Sequence, residues 1–241
     1  MAASRGREVA PRPSAPPREE VRSTFSWGPL GVTLLEGDDG RRVELSGALG
    51  ARTLIEGDYV QRCELVELDH APPEELWVAT AAGAHGNRED AFFRSTANGV
   101  ERWLLVRTDE GEVGVEDLDH DGRAEIVGTV SRYFEGAEFS RPLVLTLDRG
   151  RWRDATEDHP DRLRAAREDA QRPFGAPPRS GAPECVVPNA IDVLGVSLLL
   201  GEERAAVDWL DANCPGASTW LSANREKMRA FVREPVFTEG E

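Results

Sequence analysis

A chain of 241 residues has room for one large domain or two small ones. Its formal charge of −15 and pI near 4.8 carry the wrong sign for phosphate backbones and anionic lipid surfaces, which argues against nucleic-acid binding. No stretch reaches the ~18–20 apolar residues of a membrane-spanning helix; the most apolar, Ile191 to Leu200, is interrupted by Asp192, Gly195 and Ser197.

Residues 1–24 read as a flexible Pro/Arg-rich tail. They lack the apolar core of a signal segment, yet they have the composition of a tether left behind once such a segment is removed. From Phe25-Ser26-Trp27-Gly28 onward, short β-like runs alternate with turn residues. Gly31-Val32-Thr33-Leu34-Leu35, the turn Glu36-Gly37-Asp38-Asp39-Gly40 and Arg41-Arg42-Val43-Glu44-Leu45 have the pattern of a hairpin.

Sliding the chain against itself reveals an internal echo. Arg52-Thr53-Leu54-Ile55 falls on Arg102-Trp103-Leu104-Leu105. At the same offset and without a gap, Glu67-Leu68-Asp69-His70-Ala71-Pro72-Pro73-Glu74-Glu75-Leu76 falls on Asp117-Leu118-Asp119-His120-Asp121-Gly122-Arg123-Ala124-Glu125-Ile126. Further strand–turn–strand units are predicted at Leu104-Leu105-Val106 with Glu110-Gly111-Glu112-Val113, and at Leu143 to Leu147 with Arg151-Trp152.

The second acidic stretch has the chemistry of a cation cage. Calcium takes six to eight oxygen ligands at about 2.3–2.6 Å in flexible geometry. Asp117, Asp119 and Asp121 at alternate positions supply carboxylates, Gly122 permits a sharp turn, the Arg123 carbonyl offers a backbone oxygen and Glu125 closes the set. An EF-hand would need a bidentate Glu at the twelfth position and a helix after it. That position is Gly128, and Ile126-Val127-Gly128-Thr129-Val130 reads as a strand.

An Asp-x-Asp-x-Asp-Gly-x-x-Glu loop opening an apolar strand resembles the calcium loop of FG-GAP/VCBS-type repeats, familiar from β-propellers and the integrin head. The resemblance covers roughly residues 62–134. It implies a calcium-stabilised adhesion, surface or periplasmic binding domain whose metal is structural. In the first copy Ala71 replaces the third Asp and Pro72 the glycine, so that loop is expected to be structural and empty of metal.

Beyond Asp158 the pattern turns helical. A helix is predicted from His159-Pro160 to about Gln171, then a Pro/Gly-rich connector over 172–188, then a helix from Ala190 to Leu200 capped by Asn189. Another spans Glu202 to Ala212, and a last one, capped by Ser218, carries Leu221, Met228, Phe231 and Val232 as its apolar stripe.

Of the three cysteines, Cys185 and Cys214 flank a helical segment and could form a disulfide, which would contribute roughly 3–4 kcal/mol; three reduced thiols are the alternative. His70 and His120 hold matching loop positions that point away from a cation, and no nucleophile, P-loop or dinucleotide motif is present. Trp77, Trp103 and Trp152 read as core residues.

The expected fold is α+β: a tail over 1–24, a mainly antiparallel, propeller-blade-like β repeat domain over 25–157, and a helical region over 158–241. The β portion is too short for a closed propeller, so the helices are expected to cover its open edge. The expected function is that of an extracytoplasmic, calcium-stabilised binding or assembly module for a protein or glycan ligand. A hydrolase with its site between sheets and helices, and a metal-free intracellular interaction protein, stand as alternatives.

Overall fold

The computed structural model describes residues 19–38, 40–47, 50–57, 59–82, 87–97, 99–172 and 187–240. Among them, thirteen strands form three open antiparallel sheets, and four α-helices follow β12, the α+β arrangement that the sequence predicts. The first sheet runs in chain order through β1 (Glu19–Trp27), β2 (Leu30–Gly37), β3 (Gly40–Gly47) and β4 (Gly50–Gly57). The second contains β5 (Tyr59–Val66), β6 (Glu75–Ala82), β7 (Asn87–Thr96) and β8 (Gly99–Thr108). The third contains β9 (Glu110–Glu116), β10 (Glu125–Phe134), β11 (Ala137–Asp148) and β12 (Arg151–Asp154). A last short strand, β13 (Phe237–Glu239), returns to pair with β8.

Each sheet is a four-strand meander, and the meanders stack by one recurring step. β3 packs over β5 and β4 over β6; in the same way β7 packs over β9 and β8 over β10. The second sheet is therefore covered on both faces. Glu75 to Ala79 in β6 are all buried, and Leu-Trp-Val-Ala reads as a continuous apolar run instead of alternating. Trp27, Val32, Val43, Leu76, Val78 and Phe93 fill the first interface. Trp77, Phe92, Leu104, Ile126 and Leu145 fill the second, each fully buried side chain stabilising by about 1.5–3 kcal/mol.

The first sheet ends the stack because its other face is polar. Arg42 and Glu44, which alternate with buried Val43 and Leu45, pair at 2.9 Å. Both edge strands of this sheet carry a one-residue bulge, at Arg22 in β1 and Leu54 in β4. Bulged edges pair poorly with other chains.

The second sheet encloses an ion pair. Arg88 holds Asp90 through two bonds, at 2.7 and 2.9 Å, and Trp77 Nε1 donates to the same carboxylate at 2.9 Å. Asp90 is completely buried. With both oxygens so engaged by three donors, the charge is tolerated inside the stack.

Several expectations are corrected. β1 begins at Glu19, so the last six residues of the predicted tail are strand. Leu104–Val106 and Glu110–Val113 do not form a hairpin: they belong to β8 and β9, in different sheets, with Asp109 between them. The helices do not cover a sheet edge. α1 (Pro160–Gln171), α2 (Val187–Leu199), α3 (Glu203–Asn213) and α4 (Pro215–Phe231) gather round the Phe134–Phe139 end of the β10–β11 hairpin, while β13 closes the edge of β8. The C-terminal region is thus not wholly helical. Asn189 and Ser218 lie inside α2 and α4 and cap neither. The connector over residues 173–186, with Cys185 and its pairing to Cys214, lies outside the described residues, as does His85. Cys63 is a free thiol whose pKa burial pushes up to about 11.

α2 is fastened to the sheets at two points. Gly195 admits Phe139: a Cβ there would stand 2.7 Å from Met228 Cε and 2.8 Å from Phe139 Cζ. Asp192 Oδ1 accepts the Ser140 N–H at 2.8 Å. Burial pushes the Asp192 carboxyl from 3.8 up to about 7; the Ser140 N–H opposes the rise and the Glu138 charge adds to it.

The folded protein therefore holds a proton between pH 3.8 and about 7 that the unfolded chain releases. This contribution to stability is complete below the lower value and lost as pH rises through the upper one. After solvent screening it amounts to about 1–2 kcal/mol. Asp192→Asn keeps an acceptor for Ser140, so its urea midpoint is expected to decline less than that of the parent between about pH 5 and about pH 8. Equal declines in both proteins, measured with chelator present, would refute this role.

Candidate metal centre

Two acidic loops occupy equivalent places, between the first and second strands of their sheets. Residues 67–74 join β5 to β6, and residues 117–124 join β9 to β10. Their local bonding matches closely. Leu118 N–H donates to Glu125 Oε2 at 2.9 Å, and Leu68 N–H to Glu75 Oε2 at 3.0 Å. Asp121 N–H donates to Asp119 Oδ1 at 3.1 Å, and Ala71 N–H to Asp69 Oδ1 at 2.7 Å. His120 and His70 both adopt the left-handed conformation, with φ of 59° and 60°. Histidine is enriched there among non-glycine residues, which gives the matched pair a conformational explanation.

In the second loop, one oxygen each from Asp117, Asp119 and Glu125 can be chosen within 4.8 Å of one another. Glu125 is buried, and its position is fixed by the start of β10. Asp117 Oδ2 accepts the Gly122 N–H at 3.0 Å, while its Oδ1 is shielded from solvent with no hydrogen-bond donor. Gly122, at φ 90°, supplies the turn that brings the chain back. A hard cation fits this donor set: three convergent carboxylates, one with an unused buried oxygen.

Asp121 does not join that group of carboxylates. Asp121 is exposed, and its Oδ1 accepts the Arg123 N–H at 2.7 Å. The strand β10 follows the loop directly through Gly128, so the helix of an EF-hand is absent at this point of the chain. A side chain at Gly128 would strike the Glu112 carbonyl and come within 2.8 Å of Val113 Cα. Position twelve therefore holds a glycine for close strand packing and has no ligand to offer.

The first loop is less degenerate than its sequence implies. Glu67, Asp69 and Glu75 converge within the same 4.8 Å. The buried Glu75 carboxyl is pushed up to about 7 by burial first and the Asp69 charge second. The sequence signal for this was the retention of a carboxylate at three of the aligned positions, Glu67, Asp69 and Glu75, despite Ala71 and Pro72. The two loops also touch: His70 Nε2 would lie 3.4 Å from a Cβ on Gly122.

Among the described residues, no helix is long and apolar enough to cross a membrane. The chain matches no family model, no curated protein and no solved structure.

Proposed function

We propose that this protein is an extracytoplasmic binding or assembly module built from stacked β-meanders and stabilised by calcium in the loop at residues 117–125. The observation that carries the reading is the Asp117 Oδ1 atom, buried and without a donor beside the Asp119 and Glu125 carboxylates. Three convergent like charges repel one another and raise the cost of folding unless a cation offsets them. The FG-GAP/VCBS resemblance points the same way. Calcium suits the set better than magnesium, because the oxygens come from a flexible loop and include protein carboxylates throughout. Extracellular calcium modules commonly bind with Kd of about 10⁻⁴–10⁻³ M, an affinity useful only where calcium is abundant. The ion is structural in this proposal, and a protein or glycan ligand binds elsewhere.

Calorimetric titration of the chelator-treated chain tests the assignment. One calcium-binding event that vanishes in Asp119→Ala is expected. A second event that survives in that variant would place another ion on Glu67, Asp69 and Glu75. No heat of binding with calcium in either protein would sink the proposal.

A further inference from the structure

The connections between the first and second strands of the three sheets touch in series. In the first sheet that connection is the turn at Gly28. Trp27, fully buried, donates its Nε1 hydrogen to the Glu74 carbonyl at 2.6 Å, and a Cβ on Gly28 would stand 3.2 Å from Pro73 Cγ. The loop at residues 67–74 is also held from inside, by the completely buried Leu68 side chain and by the Leu68 N–H on Glu75. It is thus pinned on the side of the first sheet. On its other side it meets the loop at residues 117–124 through His70.

His70 is aimed by its own loop. Its backbone is left-handed, its N–H donates to Glu67 Oε1 at 2.5 Å, and its Nδ1 lies 4.0 Å from the same oxygen. Its Nε2 reaches across to Gly122, 3.4 Å from where a Cβ would be. Gly122 is the residue whose N–H engages Asp117 Oδ2, leaving Asp117 Oδ1 shielded from solvent and without a donor. Residues 119–123 are all exposed, so the tip of the metal loop has little packing of its own. His120 holds the matching position on the last sheet, with no third acidic loop beyond it among the described residues.

We propose that His70 is a positioning residue for the metal loop: its ring, held by the first loop, backs Gly122 and so keeps the Asp117 carboxylate beside those of Asp119 and Glu125. The inference rests on the calcium reading of residues 117–125. Three converging carboxylates push an empty loop open. A ring braced against Gly122 opposes that movement and cuts the ordering cost of taking up the ion, which is the gain from preorganisation. His70 is not itself a ligand, since it stands outside the converging group. Ala71 and Pro72 leave the contact in place, so the first loop can lose an aspartate and its turn glycine and still serve the second.

The test is calcium calorimetry on the full chain, joined to amide hydrogen exchange measured in chelator. The binding event scored is the one that Asp119→Ala removes, which keeps any ion on Glu67, Asp69 and Glu75 out of the comparison. His70→Gly deletes the ring and keeps the left-handed backbone, which glycine adopts freely. Its calcium Kd is expected to rise about tenfold, the low end of the loss when a residue that orients a metal ligand is removed. In chelator, the Gly122 N–H, bonded to Asp117, is expected to exchange faster, while the Leu68 N–H, bonded to Glu75, keeps its rate. General damage to the first loop would speed both. In that case His70→Asn decides, since asparagine also takes the left-handed backbone but is too short to reach Gly122. An unchanged Kd in the deciding variant, or an unchanged Gly122 exchange rate, overturns the positioning role and leaves the metal centre standing. No calcium binding by the parent removes the metal centre, and the role of His70 with it.

Discussion

Calcium is expected to raise the melting temperature of the chelator-treated protein by about 5–10 °C once free calcium stands roughly a hundredfold above Kd. At that ratio, binding to the folded state alone stabilises by about 2.7 kcal/mol, and a chain of this length shifts by roughly 2–4 °C per kcal/mol. The variants sharpen the test. Asp119→Ala removes one of the three converging carboxylates, so its calcium response should disappear while its metal-free melt stays level or rises, because one repulsion is gone. Asp121→Ala should keep most of the response, since Asp121 is exposed and its carboxylate serves the Arg123 N–H instead of the cluster. A parent melt that calcium leaves in place, or an equal rise in Asp119→Ala, would refute the metal centre.

Asp90→Ala should be the most damaging single change in the β stack, costing about 3–5 kcal/mol, the usual penalty for removing one member of a buried pair. Arg88, 8% exposed, would keep its charge with only the exposed Glu112 carboxylate 4.0 Å away, and Trp77 Nε1 would lose its acceptor. At a few degrees per kcal/mol, the melting temperature should fall by roughly 10–15 °C. The paired replacement Arg88→Met with Asp90→Leu provides the control. It removes both charges and refills the volume, so it should recover most of the loss. If the double variant is as unstable as Asp90→Ala, packing and not the orphaned charge sets the cost.

The helix starts show how far local rules carry. The proline at the start of α1 is read correctly as a first-turn residue, and the same signal stands at Pro188 in α2 and Pro215 in α4. Asn189 and Ser218 draw the predicted starts inward because capping residues are also tolerated inside helices. Neither is wrong chemistry in isolation; the proline restricts backbone geometry more strongly. Asp192 illustrates a different limit. At the third position of the helix predicted from Ala190 it looks like a helix-start acid, but in the fold it meets Ser140 on a strand some fifty residues earlier.

What this sequence determines by itself is whatever a few neighbouring residues can decide. It gives the strand periods, the turn glycine at Gly122, and the acidic residues of the two matching loops. Which strands pair was settled only in three dimensions. Leu104 to Val106 and Glu110 to Val113 have the pattern of a hairpin, yet they divide between two sheets, and Leu104, Val106 and Val113 meet face to face in the core between them. The convergence of Glu67, Asp69 and Glu75, the Arg88–Asp90 pair under Trp77 and the return of β13 to β8 all join atoms whose final distance no local preference fixes. Backbone propensity acts over one turn or one strand, whereas burial compares every face the chain could cover, and that comparison exists only in the folded molecule.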